Sequence, residues 1–344
     1  MKSVTIYDIA REANVSVATV SRVLNNTAPV KESTRKKIMD IIEKNQFQPN
    51  ALARSLLKKE TGTIAMILPD ITNPFFPEVF WGAENKGREL GYTFFLCDSA
   101  GDYKRESEYL SILRERRVDG IIFLGGRINL ANCPPNLVQE VVDLSRHLPI
   151  VLVNGHLANS GLHRIFTDEA KGAEMAVRHL IELGHRDIAF LGGLEYMSTT
   201  KVKIKAVRKV LKEHGLELPA DRVMYGEFSI QAGKALMDQL LHSPRRPTAV
   251  LCVNDFTAVG AIKSATEHGL KIPDDISITG FDGTPLSEAV IPELTTVSQN
   301  TYELGKLAVE TLHKLISGSK VKKRVVLEPR LIVRKSTGPR KNAY

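Results

Sequence analysis

The sequence predicts an all-α head of short helices, followed by an α/β core of two doubly wound parallel-sheet lobes. Three observations lead to this fold class. The chain has 344 residues, enough for two or three domains at roughly 100–200 residues each. The first sixty residues show helical periodicity, and from residue 63 apolar strand-like runs alternate with helical segments. With 43% hydrophobic and 25% charged residues, the composition is that of a globular protein, not a disordered or collagenous one.

The head is predicted to hold three helices joined by short turns. A capping box at Thr5 and Asp8 begins the first helix. Asn14 can take the left-handed conformation that ends it, and Ser16 caps a second helix. A third helix begins near Ser33. Two helices separated by a three-residue break and followed by a third have the spacing of a helix-turn-helix.

A short helix and a linker are predicted between head and core. Pro49 breaks the preceding pattern and suits the first turn of a helix that extends to Leu57. The polar residues 58–62 are typical of a linker. The predicted boundaries are therefore 1–48 for the helix-turn-helix domain, 49–61 for the connecting segment and 62–344 for the core.

The core is predicted to be built on parallel strands. Near-continuous apolar runs occur at 63–69, 92–97, 119–124, 149–154, 187–192, 248–253 and 276–281. Helical periodicity occurs at 168–184, 201–215, 229–242 and 255–269. Apolar strands separated by helices indicate parallel sheets covered on both faces. There are more strands than one open sheet usually holds, which favours two lobes.

Positive charge is concentrated at the two ends of the chain. Residues 1–60 hold 11 Lys and Arg against 6 Asp and Glu, and residues 320–344 hold 9 against 1. The residues between them are mildly acidic, with 27 against 32. A basic head indicates nucleic-acid binding, and a solvated basic face is the alternative interpretation. The basic tail is interpreted as a terminal strand followed by a frayed end.

Nothing in the sequence indicates secretion, a membrane span or a metal centre. No apolar run approaches the roughly 20 residues that span a bilayer, and the first residues lack a signal peptide's apolar core. The three cysteines, Cys97, Cys133 and Cys252, are far apart and form no CxxC motif, which favours free thiols. We therefore expect a cytoplasmic protein without a cofactor.

Several motifs together resemble the LacI/GalR family of bacterial transcription regulators. The head contains Thr5-Ile-Tyr-Asp-Ile-Ala-Arg-Glu-Ala13, Val15-Ser16 and Thr19-Val-Ser-Arg-Val-Leu-Asn25. Pro49-Asn50 and Ala53-Arg54-Ser55-Leu56 are similar to the family's hinge helix. Further matches follow in family order at Asn73-Pro74-Phe75-Phe76, Gly184-His185, Asn254-Asp255, Gly280-Phe281-Asp282 and Leu294-Thr295-Thr296-Val297.

The resemblance implies a core like the periplasmic sugar-binding proteins, with a ligand cleft between two lobes. The implied lobes are about 62–161 with 293–323, and about 162–292 with 324–338. Family members are usually dimers that bind palindromic operators and respond to a small effector, often a sugar or a nucleobase. Some members carry a tetramerising leucine heptad after the core. Here none follows Ser336, so a homodimer is expected.

The resemblance also implies which residues contact double-stranded DNA. They are Thr5, Ser16, Val17, Ala18, Thr19, Ser21, Arg22 and Asn25 in the head, and Asn50, Ala53 and Leu56 in the hinge helix. Arg22 can bond guanine O6 and N7 bidentately, or it is simply a solvated helix residue. Ser16 can contact DNA or only cap its helix. Leu56 is implied to wedge into the minor groove, and packing against the core is the alternative.

Six residues are implied to line the effector cleft: Phe75, Phe76, Lys203, Phe228, Asn254 and Asp282. Lys203 lies where sugar-responsive members commonly carry an arginine, and lysine lacks the planar bidentate fork. The lysine therefore weakens the argument for a neutral sugar as effector. The alternatives are a ligand with a phosphate or carboxylate group, or a cleft that has lost its small ligand. Buried Asn and Asp at strand ends often only satisfy loop backbone, which is the alternative for Asn254 and Asp282.

The sequence favours a DNA-binding regulator over an enzyme. Of the two directions of regulation, repression is preferred over activation. His185-Arg186-Asp187 spells a kinase triplet, but no Asn follows at the required spacing. No phosphate-binding glycine loop, nucleophile–base set or metal cluster is apparent. Within the class, regulation by a partner protein is the second candidate, since the head also resembles a catabolite control protein.

Overall fold

The computed structural model describes residues 4–25, 28–47 and 61–341, except for the side chain of Asn25. The chain divides into two compact units, Met1–Thr61 and Gly62–Tyr344. Within the described ranges, no helix is long and apolar enough to cross a membrane.

The described part of the head contains the helices α1 (Ile6–Ala13), α2 (Val17–Asn25) and α3 (Glu32–Lys44). The predicted capping box is present, because Thr5 and Asp8 each bond the other's backbone N–H. Asn14 follows α1 with φ 54° and ψ 49°, the left-handed conformation that was predicted. The helices pack around fully buried apolar side chains: Ile9, Val20 and Ile38.

The first lobe of the core is a six-stranded parallel sheet. Numbered in chain order, its strands are β1 (Thr63–Leu68), β2 (Thr93–Asp98), β3 (Gly120–Leu124), β4 (Ile150–Val153), β5 (His163–Thr167) and β11 (Arg324–Leu327). Their spatial order is β11-β5-β4-β3-β1-β2. One face packs on α4 (Phe75–Glu89) and α12 (Thr301–Ile316), and the other on α5 (Tyr103–Glu115) and α6 (Pro135–Ser145). A 3₁₀ turn, Gly126–Asn129, follows β3.

The second lobe is a four-stranded parallel sheet in the order β7-β6-β8-β9. Its strands are β6 (Ile188–Leu191), β7 (Val223–Met224), β8 (Ala249–Cys252) and β9 (Ser277–Thr279). The helices α7 (Glu169–Glu182) and α8 (Ser198–Glu213) cover one face, and α9 (Ile230–Leu241) and α10 (Asp255–Glu267) cover the other. A short helix, α11 (Leu286–Ala289), lies beyond β9. An antiparallel pair, β10 (Thr296–Ser298) and β12 (Arg330–Ile332), continues this lobe through bridges to 279 and 282.

The strand pairing corrects the predicted lobe boundaries. Residues 163–167 and 324–327 were assigned to the second lobe, but β5 and β11 pair with each other and extend the first sheet. Conversely, 296–298 were assigned to the first lobe and lie beside β9. Both β5 and β11 contain buried and more exposed positions. Their sequences therefore include polar residues and do not form a continuous apolar run. Their partners are distant in sequence, so no local pattern marks the lobe to which they belong.

Candidate functional sites

The helix α2 presents small and polar side chains on the side away from the head's core. Val20 and Val23 are buried, whereas Ala18 and Arg22 are exposed and Val17 is partly exposed. The ion pairs among the described head residues leave Arg22 out. Its guanidinium is therefore available to a partner outside the chain. This is the arrangement of a recognition helix, in which a few exposed side chains reach base edges.

The hydroxyl side chains predicted to contact DNA also stabilise helix starts. The Ser16 Oγ accepts a hydrogen bond from the Thr19 backbone N–H at 3.2 Å and lies 2.9 Å from the Thr19 Oγ1. The Thr5 Oγ1 donates to an Asp8 carboxylate oxygen at 2.6 Å. Ser16 and Thr5 are exposed, and Ser21 is partly buried. Ser16 thus has the capping role that was its alternative interpretation, at a position that a phosphate can still reach.

Part of the predicted DNA contact lies outside the described residues. This applies to the side chain of Asn25 and to Asn50, Ala53 and Leu56 of the predicted hinge helix. Their roles stay predictions.

A cavity of about 670 Å³ lies between the two lobes. The ends of β1, β2, β3 and β4 form one wall, and residues that follow β8 and β9 contribute to the other. Carboxyl ends of parallel strands are where open α/β sheets bind ligands. The six residues predicted to line a ligand cleft all lie on its walls: Phe75, Phe76, Lys203, Phe228, Asn254 and Asp282.

Aromatic rings provide apolar surface on both sides of the cavity. Phe75 and Phe76 form an edge-to-face pair with ring centroids 5.2 Å apart at the start of α4. Asn73 fixes this start, since its Oδ1 accepts the Phe75 N–H at 3.2 Å. Phe228 approaches from the second lobe and packs partly on its core. Such rings can stack on an apolar ligand face.

The ammonium group of Lys203 is already fully engaged by the protein. Its Nζ lies 3.0 Å from a Glu169 carboxylate oxygen, and it donates to the Thr199 Oγ1 at 3.1 Å and the Val253 carbonyl at 3.3 Å. It also lies 3.9 Å from the centroid of the Phe281 ring. The side chain is only 3% exposed. An ammonium has three N–H donors, so none is left for an anionic ligand.

Asp282 forms the second-lobe end of a hydrogen-bonded chain that joins the lobes through Gln299. Its Oδ1 accepts from the Gln299 Nε2 at 2.7 Å, and the Gln299 Oε1 accepts from the Asn154 Nδ2 at 2.8 Å. Burial raises the pKa of Asp282 well above its usual range, although Lys203 opposes the shift. The residue has φ 111°, a conformation that side chains rarely adopt and that clusters at functional sites.

Asn254 has a structural role in addition to its place on the wall. It is buried, and its Oδ1 accepts the Thr257 N–H at 2.9 Å at the start of α10. Its Nδ2 lies 3.5 Å from the Phe228 carbonyl oxygen. The alternative interpretation was that the Asn254 side chain only bonds loop backbone, and its Oδ1 does bond the backbone N–H of Thr257.

Carboxylates without a cationic partner also line the cleft. They are Asp70, Asp98 and Glu227. Asp70 accepts from the N–H and hydroxyl of Thr72, and Asp98 accepts the N–H groups of residues 71 and 100. Among the described residues, none of the three carboxylates forms an ion pair. The cleft therefore presents net negative charge to whatever enters it.

The sequence did not identify Asn154, Gln299 or Glu169 as site residues. Asn154 follows β4 and has φ 48°, so the strand-end rule applied to Asp282 could have found it. Gln299 and Glu169 lie in segments that cross between the lobes, and no local pattern marks such segments.

A helix-turn-helix unit and a two-lobed α/β core with a central cleft define a ligand-responsive class of DNA-binding regulators. Residues 5–50 match the model for bacterial regulatory proteins of the lacI family, and residues 177–337 match that for a periplasmic binding protein-like domain. The HTH-type transcriptional regulator DegA of Bacillus subtilis (strain 168) is 37% identical over 97% of this chain and 98% of its own length. The chain belongs to the LacI family of bacterial transcription regulators, which confirms a regulator rather than an enzyme.

Two solved structures extend this similarity to the fold. The lac repressor dimer bound to operator and the anti-inducer ONPF matches with a TM-score of 0.86 and 27% identity, covering 98% of this chain and 100% of that one. The complex of the transcriptional regulator CelR with cellobiose matches with a TM-score of 0.71 and 27% identity, over 97% and 99% of the two chains.

Proposed function

We propose that this protein is a cytoplasmic repressor that binds a palindromic operator as a homodimer, with an affinity controlled by a small uncharged ligand in the inter-lobe cleft. The observation that carries this proposal is the 670 Å³ cavity. It brings all six predicted ligand residues together and is spanned by hydrogen bonds between the lobes. The operator-bound lac repressor dimer and the cellobiose complex of CelR support the two halves of the proposal.

The DNA half of the proposal rests on the exposed face of α2. Arg22 has the free bidentate donor that a guanine edge requires, and Val17 and Ala18 offer apolar contact to a thymine methyl group. The two heads of a dimer would present this face twice, which is why a palindromic site is expected.

The charges on the cavity wall favour an uncharged effector over an anion. Lys203 is the only cation on the cavity wall among the described residues, and Glu169 neutralises it at 3.0 Å. Asp70, Asp98 and Glu227 would repel a phosphate or carboxylate. The remaining polar groups on the wall are amides, hydroxyls and the Asp282 carboxyl, which suit the hydroxyl groups of a ligand. The rings of Phe75, Phe76 and Phe228 suit an apolar face. We therefore favour a neutral sugar or similar polyol over a sugar phosphate.

The two sites would be coupled through lobe closure. A ligand bonded to Asp282 and to the first lobe favours one lobe angle, because the chain Asn154–Gln299–Asp282 lies where the lobes are joined. The lobe angle then sets whether the segment that precedes residue 62 can place the two heads on DNA. Two sites and two states of different affinity are what allosteric control requires.

A thermal-shift screen of the full chain tests the ligand half. Neutral sugars are compared with their 6-phosphates and with nucleobases, and each stabilising compound is then titrated by calorimetry and checked for turnover. A neutral sugar that binds reversibly, and at least tenfold more weakly to Asp282→Ala, is the expected result. Tighter binding of a 6-phosphate through Lys203 would overturn the ligand class, and no binding by any compound would overturn effector control by this class of molecule.

A further inference from the structure

In the first lobe, the residues at the beginnings of the strands and those at the ends of the strands carry opposite charges. All six strands run parallel, so every strand begins at one edge and ends at the other. The strand ends lead to carboxylates at the cleft, such as Asp70, Asp98 and Glu169. The side of the sheet where the strands begin is basic, and we call it the basic edge. The chain also enters the core on this side, at Gly62.

The residues of this basic edge come from four successive strand beginnings. They are Arg114, Arg116 and Arg117 before β3, Arg146 and His147 before β4, His163 and Arg164 in β5, and Lys320, Lys322, Lys323 and Arg324 at β11. A second cavity, of about 420 Å³, opens among them and is lined by Arg146, His147, His163 and Lys323. Within the described chain, the acids nearby are fewer than the basic residues. Glu115 lies between Arg114 and Arg116, Asp143 pairs with Arg146 at 3.2 Å, and Asp119 accepts the Gly62 N–H at 2.7 Å.

The basic C-terminal stretch of the sequence divides into a paired and an unpaired part. In the second lobe, Arg334 pairs with Glu288, Lys335 with Glu293 and Lys341 with Asp274, at 2.6, 3.3 and 2.8 Å. By contrast, the described structure shows no carboxylate paired with Lys320, Lys322, Lys323 or Arg324. Arg114 and Arg146 at helix ends complement the helix dipole, but residues 320–324 lie beyond the last turn of α12 and have no such role.

Two arginines of the basic edge are held against each other. Arg164 and Arg324 are directly opposite in the β5–β11 register, and their guanidinium carbons lie 4.4 and 5.7 Å from the centroid of the Phe166 ring. Burial, followed by the Arg324 charge, lowers the pKa of Arg164. These two like charges repel each other, which costs stability. A bound anion would relieve that cost.

We propose that the basic edge binds the phosphate backbone of DNA that flanks the site read by α2. Strands in a sheet are about 4.8 Å apart, so the basic strand beginnings extend from about 5 Å to about 19 Å along the sheet from the start of β1. Duplex DNA carries one charge per about 1.7 Å of its axis, so a face of this length can meet several phosphates. The contact is independent of sequence, because phosphates carry no sequence information.

The test measures how salt weakens DNA binding. The variant Lys320→Gln/Lys322→Gln/Lys323→Gln/Arg324→Gln removes four exposed charges and keeps polar side chains with part of the aliphatic stems. Its control, Lys201→Gln/Lys205→Gln/Arg208→Gln/Lys212→Gln, removes the same residue types from the exposed side of α8. Each full-length protein is titrated onto random-sequence duplexes of about 20 base pairs, roughly the two half-sites of a head pair, and of about 60 base pairs.

On the long duplex, the basic-edge variant should reduce the slope of log K against log salt by about 2 or more, since each lost phosphate contact removes about 0.9. Wild type, control and variant should agree on the short duplex. A wild-type slope for the variant on the long duplex, or an equal loss in the control, overturns the proposal. Circular dichroism melting establishes that both variants are folded, and single Lys322→Gln and Arg324→Gln variants repeat the comparison if either is not. The random sequence makes the result independent of the operator and effector proposed above.

Discussion

Arg22 and Lys203 carry the same charge in opposite environments, and the environment decides what each can do. Arg22 is exposed on α2 and pairs with no described carboxylate, so its donors can serve a base. Lys203 is buried, and its donors are used by Glu169, Thr199 and a backbone carbonyl. At the level of the sequence both are simply cations at motif positions. The pattern of hydrogen bonds shows which of the two side chains has donors left for a partner outside the chain.

Arg22→Ala should lower affinity for the operator by about 1–3 kcal/mol and relax preference at one position of each half-site, because a bidentate base contact is lost. Arg22→Lys keeps the charge and removes the fork, so it should lose the preference and retain more of the non-specific affinity. Binding to a library of operator variants, alongside random DNA, measures both. An equal loss of affinity on operator and random DNA would show that Arg22 contacts phosphate only.

Lys203→Met should destabilise the core by about 3 kcal/mol, since it leaves the Glu169 carboxylate partly buried and unpaired. Glu169 is only 17% exposed. The double variant Glu169→Gln/Lys203→Met should cost less than the sum of the two single changes, because neither charge is then left alone. Urea unfolding of the four proteins gives the coupling energy. Additive effects would mean that the pair contributes nothing beyond its separate side chains.

At the scale of elements, short-range chemistry fixes the ends of helices, and one buried histidine ties strands together. His185 precedes β6 and bonds the hydroxyls of Thr248 and Ser277, which lie beside or within β8 and β9, at 3.0 Å each. Its Nε2 also lies 3.1 Å from the carbonyl oxygen of Gly338 in the C-terminal segment. The ring therefore joins the segment after β12 to the second sheet, alongside the bonds of Ser336 to Ile278 and of the Gly338 N–H to the Ser277 hydroxyl.

Acid should weaken the core through His185. Burial lowers its pKa from the ordinary value of 6.5. Above that value the ring is neutral in both folded and unfolded chains, so its contribution to stability is complete. As the pH falls below 6.5, the unfolded chain takes up a proton before the folded one does, and stability is lost down to the folded pKa.

The expected result is a fall in the free energy of unfolding of the wild-type core between about pH 7.5 and about pH 5.5. His185→Gln should be less stable at the higher pH and should lose less over the same interval. His242→Gln, at an exposed position, is the control and should follow wild type. Parallel curves for wild type and His185→Gln would show that this ring does not set the pH dependence.

At the scale of the whole core, three chain crossings join the lobes and a side-chain relay lies beside them. The crossings follow β5, β10 and β11, in the described core. Gln299 lies in the second crossing, where its amide bonds Asn154 of the first lobe and Asp282 of the second, and its carbonyl accepts the Thr167 hydroxyl at 2.7 Å. We therefore expect these hydrogen bonds to restrain the angle between the lobes.

Gln299→Met should destabilise the core by about 1–3 kcal/mol, because the Asn154 amide and the Asp282 carboxyl lose a buried partner. Amide exchange should also become faster in residues 153–156 and 298–301, where the relay holds the lobes together. Gln139→Met, at an exposed site on α6, should change stability by less than about 0.5 kcal/mol. Unaltered exchange in Gln299→Met would mean that the backbone crossings alone restrain the lobes.

The sequence by itself determined the local structure of this protein and identified six of the residues on the wall of its cleft. The caps at Thr5 and Asn14, the helix-turn-helix and the seven apolar strands were predictable because each depends on neighbours within a few residues. The six cleft residues came from motif resemblance. Only the tertiary structure assigned β5 and β11 to the first sheet and showed that the Glu169 carboxylate pairs with the Lys203 ammonium group. Both depend on contacts between segments far apart in sequence, and hydrogen bonds and charge pairing at such contacts leave no periodic signal in the chain.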